Sequence, residues 1–433
     1  MLIYVPKLTN RIGYTLNVVF HYVLKVDYTI TVDHVFFEQS DEPKFCYATE
    51  PVDDAPFLAA APLLHTVSVE AQTLNASTHA GVTTLFSVDD PRSILPFDAL
   101  AAVFFMVSRY EEYLPHRIDS FGRFPASESV AFTQGFLDVP VVDLWAAMLY
   151  RAIQQHYPQL PDLNRHPSFV ATVDIDAAFC YRNKGVLRTL MGLAKDKLNH
   201  DLFRERMATL LGRKDDPFDT FDFLLEQQKI HPDVKFVFFP LLGDYDQYDK
   251  PISYANKEFR DLLQHIGDYA KMGIHSSFRS SDAPQLIHVE TERLANILHR
   301  PIVRNRCHYL RLNIPQTYHS LIAEGIHHDY SMGYADEPGY RAGTATPYPC
   351  YDIERDEELP ILSHPFCLMD TTLIVHKKML PGQAEETFAR FLDASRQAGT
   401  DFCAIWHNQN ICDNDEYRPW RQIFVRVLDR WKC

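Results

Sequence analysis

Ser168-Phe-Val-Ala-Thr-Val173, running straight into Asp174-Ile-Asp176, is the stretch on which the fold reading turns. Its apolar and β-branched residues predict a buried strand. Ionisable groups are expensive to bury, so two aspartates directly after that strand mark an end open to chemistry. The arrangement recurs downstream. Met272-Gly-Ile274 runs into His275-Ser276-Ser277, and Phe402-Cys-Ala-Ile-Trp406 runs into His407-Asn408, while Val234-Lys-Phe-Val-Phe-Phe239 is a further strand. Helical spacing occupies Leu187 to Leu211, Phe218 to Gln228, Lys257 to Ala270, Val289 to Leu298 and Glu385 to Ala398. Strands alternating with helices in this way predict parallel pairing and an α/β layer or barrel. Active sites of such folds gather at strand C-termini, so three polar strand ends suggest one shared site.

Upstream the pattern differs. Ile12 to Phe37 is rich in Val, Tyr, Thr and Phe with partial alternation, which predicts several strands. Pro96 to Tyr113 and Val141 to His156 carry helical spacing, and Asp119-Ser-Phe-Gly-Arg-Phe124 reads as a turn. The polar, proline-bearing Tyr157 to Pro167 is the best linker. Two units follow: an N-terminal α+β domain over 1–165 and an α/β domain over 166–433.

The 433 residues are 46% hydrophobic and 23% charged, an ordinary globular composition that excludes disordered and fibrous classes. With 42 Lys plus Arg against 57 Asp plus Glu, the net charge is −15, and such a surface on average repels nucleic acid and anionic lipid. No stretch has the length and apolarity of a membrane span, and the start lacks the features of a secretory signal, so a cytoplasmic location is the expectation. The eight cysteines form no Cys-x-x-Cys pair, which fits reduced, buried thiols rather than a zinc knuckle or disulfide scaffold. A catalytic metal would then be held by histidines and carboxylates.

Asp174 and Asp176 have the period-two spacing that puts two side chains on one face of a strand. Carboxylates so close repel unless a cation or a shared proton relieves them; the alternative is a helix cap with a solvated turn. His275 or His407 alone could be a satisfied core histidine. Together with the aspartates they suit a divalent ion, zinc first, with cobalt, manganese or nickel as alternatives. Arg304, Arg306 and His308 alternate along Val303-Arg-Asn-Arg-Cys-His-Tyr-Leu310 and would sensibly face carboxylates, unless that run is an exposed edge strand. His327-His328-Asp329-Tyr330 and Gly339-Tyr-Arg-Ala-Gly343 are polar loop clusters.

Thr172-Val-Asp174-Ile-Asp176, His275-Ser276, Arg306-Cys-His-Tyr309 and Ile405-Trp-His407 resemble, in order, the motifs of polysaccharide deacetylases of the NodB homology type, carbohydrate esterase family four. The resemblance covers roughly residues 165 to 433 and looks like a divergent bacterial branch with an additional N-terminal domain. It implies a distorted (β/α) barrel, with Asp174 as base, Asp176 and His275 as metal ligands, Arg306 orienting the base, and His407 as general acid. The family's second metal histidine is replaced here by Arg279, which cannot ligate a cation. His308, standing where the family has a proline, is the candidate third ligand. For the fourth motif Asp329 and Arg341 are candidates; with Tyr309 and Trp406 they are the expected substrate contacts.

The implied activity is metal-dependent removal of an acetyl group from an N-acetylated sugar or glycan. Two other readings stand beside it. Asp-x-Asp after a strand also serves metal-dependent glycosyltransferases, though that leaves His275 and His407 without a role. The Arg279 substitution is what a non-catalytic, carbohydrate-binding homologue would carry.

Overall fold

A computed structural model describes residues 1–432 as an α/β fold. Near the N-terminus, β1 (Leu2–Tyr4), β2 (Thr29–Thr31), β3 (Lys44–Ala48) and β4 (Phe57–Ala59) form a parallel sheet in the order β2-β1-β3-β4. β1, β3 and β4 are buried along their whole length, as strands of parallel sheets covered on both faces are. A short antiparallel pair, β5 (Ser77–His79) and β6 (Val82–Thr84), follows. The helices at Ala99–Val107 and Val141–His156 stand where helical spacing predicts them.

The expectation of several strands in Ile12 to Phe37 is corrected: only β2 lies there. Asn10–Leu16 is α-helical and continues as a wider π-type helix over Asn17–Leu24. Thr9 starts it by accepting the Ile12 N–H at 3.1 Å. Burial of Ile12, Leu16, Val19, Phe20 and Val23 then overrides the strand preference of β-branched residues.

From residue 169 onward the chain builds the frame of the site. β7 (Phe169–Ile175) lies centrally, parallel to β8 (Val234–Pro240) on one side and to the final strand on the other. β9 (Lys271–Met272) extends the β8 edge. Gly273 then lets the chain step into a second sheet, since a Cβ there would fall 2.5 Å from the Phe239 ring and 2.6 Å from Arg304 Cβ. That sheet runs β10 (Ile274–Ser276), β11 (Arg304–Cys307), β12 (His328–Asp329), β14 (Glu357–Ser363), all parallel, with the antiparallel β13 (Tyr348–Asp352) at its edge. β15 (Leu368–Met369) and β16 (Phe402–His407) complete the first sheet in the order β15-β16-β7-β8-β9. A bridge between Leu241 and His275 joins the two sheets.

The side chains between them show that the strands surround a common interior. Val170, Val237, Phe239, Met369, Cys403 and Ile405 face inward in small apolar clusters, and Arg306 lies over the rings of Phe239 and Phe366. No closed barrel forms among the described residues, because no pairing links β14 to β15. At the C-terminal ends, register puts Asp174 beside His407 and His275 beside Arg306. Seven free cysteines are described, six of them buried, and Cys433 lies outside the described residues. No helix among the described residues is long and apolar enough to cross a membrane.

Residues 1–165 pack directly on this frame. Tyr14 Oη donates to Pro349 O at 2.8 Å, and one hydrophobic core runs from Ile3 to Leu428. Glu112 accepts two bonds from Arg341, at 2.9 and 2.6 Å, and one from Arg109 at 2.8 Å, all with nearly buried side chains. Burial works against charge on these groups and their mutual attraction restores it, holding the Glu112 carboxyl below its ordinary range. Truncating Glu112→Ala would leave the buried Arg341 guanidinium without a carboxylate, while Arg109 keeps Glu111 at 2.7 Å, and is expected to cost about 3–5 kcal/mol. Urea unfolding followed by circular dichroism reads this as a lower midpoint; an unchanged midpoint would show the cluster to be dispensable.

Candidate metal centre

Three strand ends and one short turn deliver the polar side chains to one place. Asp174 and Asp176 come from the end of β7, His275 from β10, His407 from β16, and His308 from the turn after β11. That turn is unusual: Tyr309 and Leu310 both have positive φ, 59° and 56°, which non-glycine residues rarely adopt. Such conformations persist where the surrounding structure holds them, often at functional sites. Asp176, His275 and His308 each offer a ligand atom, all within 4.8 Å of one another.

Each imidazole is oriented from behind. His275 Nδ1 lies 2.9 Å from the Arg306 carbonyl, His308 Nδ1 2.7 Å from Asp249 Oδ1, and His407 Nδ1 2.6 Å from Asp370 Oδ1. All three partners are acceptors, so each Nδ1 carries the hydrogen and the ring turns Nε2 inward. The Nε2 atoms of His275 and His308 stand 3.3 and 3.6 Å from Asp176 Oδ1, and that of His407 stands 3.9 Å from Asp176 Oδ2. Asp370 is itself held by the His407 backbone N–H at 2.8 Å and by Asn410 at 3.1 Å.

The electrostatics call for positive charge. Asp174, Asp176, Asp249 and Asp370 surround the cluster, and Arg306 is the permanent cation nearest Asp174, 3.8 Å from its Oδ2. Burial alone would raise the Asp176 carboxyl, but the charge of His308 and contacts with both imidazoles hold it well below the ordinary range. Burial would likewise discharge His308, yet Asp176 and Asp249 push it up to about 9. Asp370, with Asp176 and Asp174 behind it, overcomes the same burial at His407 and pushes it up to about 10. Two buried oxygens, Asp174 Oδ1 and Asp176 Oδ1, have no hydrogen-bond partner. One carboxylate and two imidazoles converging on an unsatisfied oxygen are a donor set that fits zinc and its neighbours.

The cluster forms the floor of a cleft of about 560 Å³. Tyr309 lines that cleft, as do Asp174, Asp176, His275, His308 and His407. Arg306 sits beneath, fully buried and donating to Thr172 Oγ1 at 2.8 Å. Three expected substrate contacts lie elsewhere and are corrected. Trp406 points to the opposite face of β16 from His407, stacked on Phe388 at 4.6 Å between sheet and helix. Asp329 is fully buried and accepts hydrogen bonds from Asn305 and Ser331, tying β11 to the segment after β12. Arg341 is consumed by Glu112.

Arg279 turns away from the cluster: its side chain is 57% exposed and pairs with Asp246 at 3.4 Å. Sequence reasoning missed Asp249 and Asp370. Asp370 ends the apolar run Phe366-Cys-Leu-Met369, the strand-end signal already used for Asp174. Asp249 stands in a loop with Asp244 and Asp246, where no spacing distinguishes it. The turn at Asp119–Phe124 forms as expected, yet it also reaches the cleft: Arg123 donates to Tyr309 O at 2.8 Å, and the Phe121 ring lies 5.2 Å from that of Tyr309.

Residues 1–158 match a family of unknown function, DUF7033. No curated protein matches the chain. Among solved structures, a Mycobacterium smegmatis chain named as a polysaccharide deacetylase overlaps at 14% identity with a TM-score of 0.38, over 61% of this chain and 89% of that one. A polysaccharide deacetylase from Bacillus cereus overlaps at 13% identity and a TM-score of 0.31, over 62% and 89%. The allantoinase Puue overlaps at 11% identity and a TM-score of 0.37, over 64% and 89%. These superpositions are loose; the chemistry of the site has to come from its own side chains.

Zinc competition titrations separate the two residues that bear on the third ligand. Arg279→Ala is expected to leave affinity unchanged, whereas Asp249→Ala, which removes the acceptor behind His308, is expected to weaken it about 10–100-fold. Equal affinity in both variants would reject His308 as a ligand.

Proposed function

We propose that this chain is a metal-dependent hydrolase that removes an acetyl group from an N-acetylated sugar or glycan. The observation that carries the reading is the division of labour in the cluster. Asp176, His275 and His308 suffice to hold a divalent cation. Asp174 is left over on one side, within 3.8 Å of the buried Arg306, and His407 is left over on the other. A ligand trio flanked by a spare carboxylate and a spare imidazole is the equipment for hydrolysing an amide. Neither a sugar-nucleotide transferase nor a purely binding homologue has a use for both spare groups.

When bound, the cation would polarise a carbonyl oxygen and acidify water. Asp174 removes a proton from the attacking water. His407 delivers a proton to the departing nitrogen, because an amine anion is too poor a leaving group. Asp370 orients that imidazole and sustains its charge, so the proton is stored next to the scissile bond. Tyr309, Phe121 and Tyr248 give the cleft an aromatic wall on which sugar faces can pack. The resemblance of the four sequence motifs to family-four carbohydrate esterases supports the acetamido sugar as substrate. The 1–165 unit, through Phe121 and Arg123, is proposed to complete that wall.

Acetate release from chitooligosaccharides tests the reading. Asp174→Asn is expected to lower kcat by about 10²–10⁴-fold, the range of a general base, while zinc content per chain is unchanged. A fully active Asp174→Asn variant would refute the base. Exhaustive chelation is expected to abolish acetate release, and zinc or cobalt to restore it; activity that persists without metal would refute the class.

A further inference from the structure

The helix Val186–Asp196 is amphipathic in the wrong direction for a core element. At about 100° per residue, Val186, Leu187, Leu190, Met191 and Ala194 share one face. That face is turned to solvent: Val186 is 79%, Leu187 72%, Leu190 58% and Met191 63% exposed, and Asp196 is the buried residue of the helix. Leu198, just beyond it, is 98% exposed. An apolar face left open in this way marks an interaction surface.

The charges around it say what kind. Between Lys184 and Lys214 stand eight Lys or Arg and three Asp or Glu, in a chain whose net charge is −15. Two of the acids are neutralised locally, Asp196 by Arg206 and Glu205 by Lys214. Lys184, Arg188, Lys195, Lys197, Arg204 and Arg213 are left without a carboxylate partner among the described residues, against one free acid, Asp201. Arg188 donates only to backbone carbonyls, at 3.0 Å from Pro251 O. A second copy of the chain would bring the same excess of cations face to face, and like charges repel. An exposed Leu/Met face bordered by unpaired Lys and Arg complements a surface that is apolar beneath and anionic above.

We propose that residues 184–214 dock this protein on the surface of an anionic lipid bilayer, with Leu187, Leu190, Met191 and Leu198 entering the acyl boundary and the lysines and arginines meeting the headgroups. The helix lies flat rather than spanning, being only 11 residues long. Lys184 and Arg188 also line the cleft, so docking sets the mouth of the cleft against the lipid surface.

Flotation of the full chain with phosphatidylcholine vesicles, with and without phosphatidylglycerol, tests this. Binding is expected to the anionic vesicles, to be weak on neutral ones, and to fall as salt rises. Leu190→Glu with Met191→Glu is expected to lose at least tenfold in binding while melting like the parent, since both sites are exposed. Lys195→Gln and Lys197→Gln are expected to lose about fivefold each, equivalent to the ~1 kcal/mol that one basic residue contributes near an anionic surface. Absence of flotation by the parent chain, equal flotation on neutral vesicles, or undiminished flotation of the Leu190→Glu, Met191→Glu chain would overturn the proposal. So would a dimer, seen by sedimentation, that the same pair of substitutions dissolves, because a second copy would then cover the face.

Discussion

Three hydrogen bonds made by the far side of three imidazoles organise the centre of this molecule. The Arg306 carbonyl, Asp249 and Asp370 each take an Nδ1–H, and each thereby aims an Nε2 at the Asp176 carboxylate. A histidine without such a partner can rotate or change tautomer; these cannot do so without giving up a buried hydrogen bond. The strand ends bring the residues near one another, and the outer acceptors decide what they present. The Asp176, His275 and His308 ligand atoms therefore converge without any contribution from Arg279, which turns away to Asp246. His308 arrives from the next strand end, on a backbone turned into the left-handed region, and Asp249 orients it.

Much of this frame was legible because the same signal repeated. β7 and β16 stand where apolar runs end in polar residues, β8 stands on the further apolar run between them in sequence, and the helices follow their spacing. Asp174, Asp176, His275 and His407 lie together at the strand ends, and His308 joins them from the turn after β11. What stayed hidden depends on distance in the chain or on competition between forces. Strand propensity in Ile12 to Phe37 lost to burial on a helix. Trp406 stands next to His407 in sequence, but neighbours in a strand face opposite ways, which removes it from the cleft. Asp249 lies 59 residues from the histidine it orients, and no local pattern encodes that pairing.

The N-terminal segment is tied to the site by contacts that sequence patterning does not reach. A turn whose composition looks like an ordinary surface loop contributes Phe121 and Arg123 to the cleft wall. The buried Arg109–Glu112–Arg341 cluster fixes the angle at which that segment meets the frame, because guanidinium and carboxylate groups withdrawn from water tolerate little displacement. The cleft wall is therefore assembled from both halves of the chain, while the ionisable cluster on its floor comes from the second half alone.

The ligand set is tested most directly by anomalous diffraction from crystals grown with zinc. A single peak is expected about 2.0–2.2 Å from Nε2 of His275, Nε2 of His308 and an Asp176 carboxylate oxygen, with Asp174 outside bonding range. A peak bonded to Asp174 in place of His308, or one placed away from β7 altogether, would contradict the account.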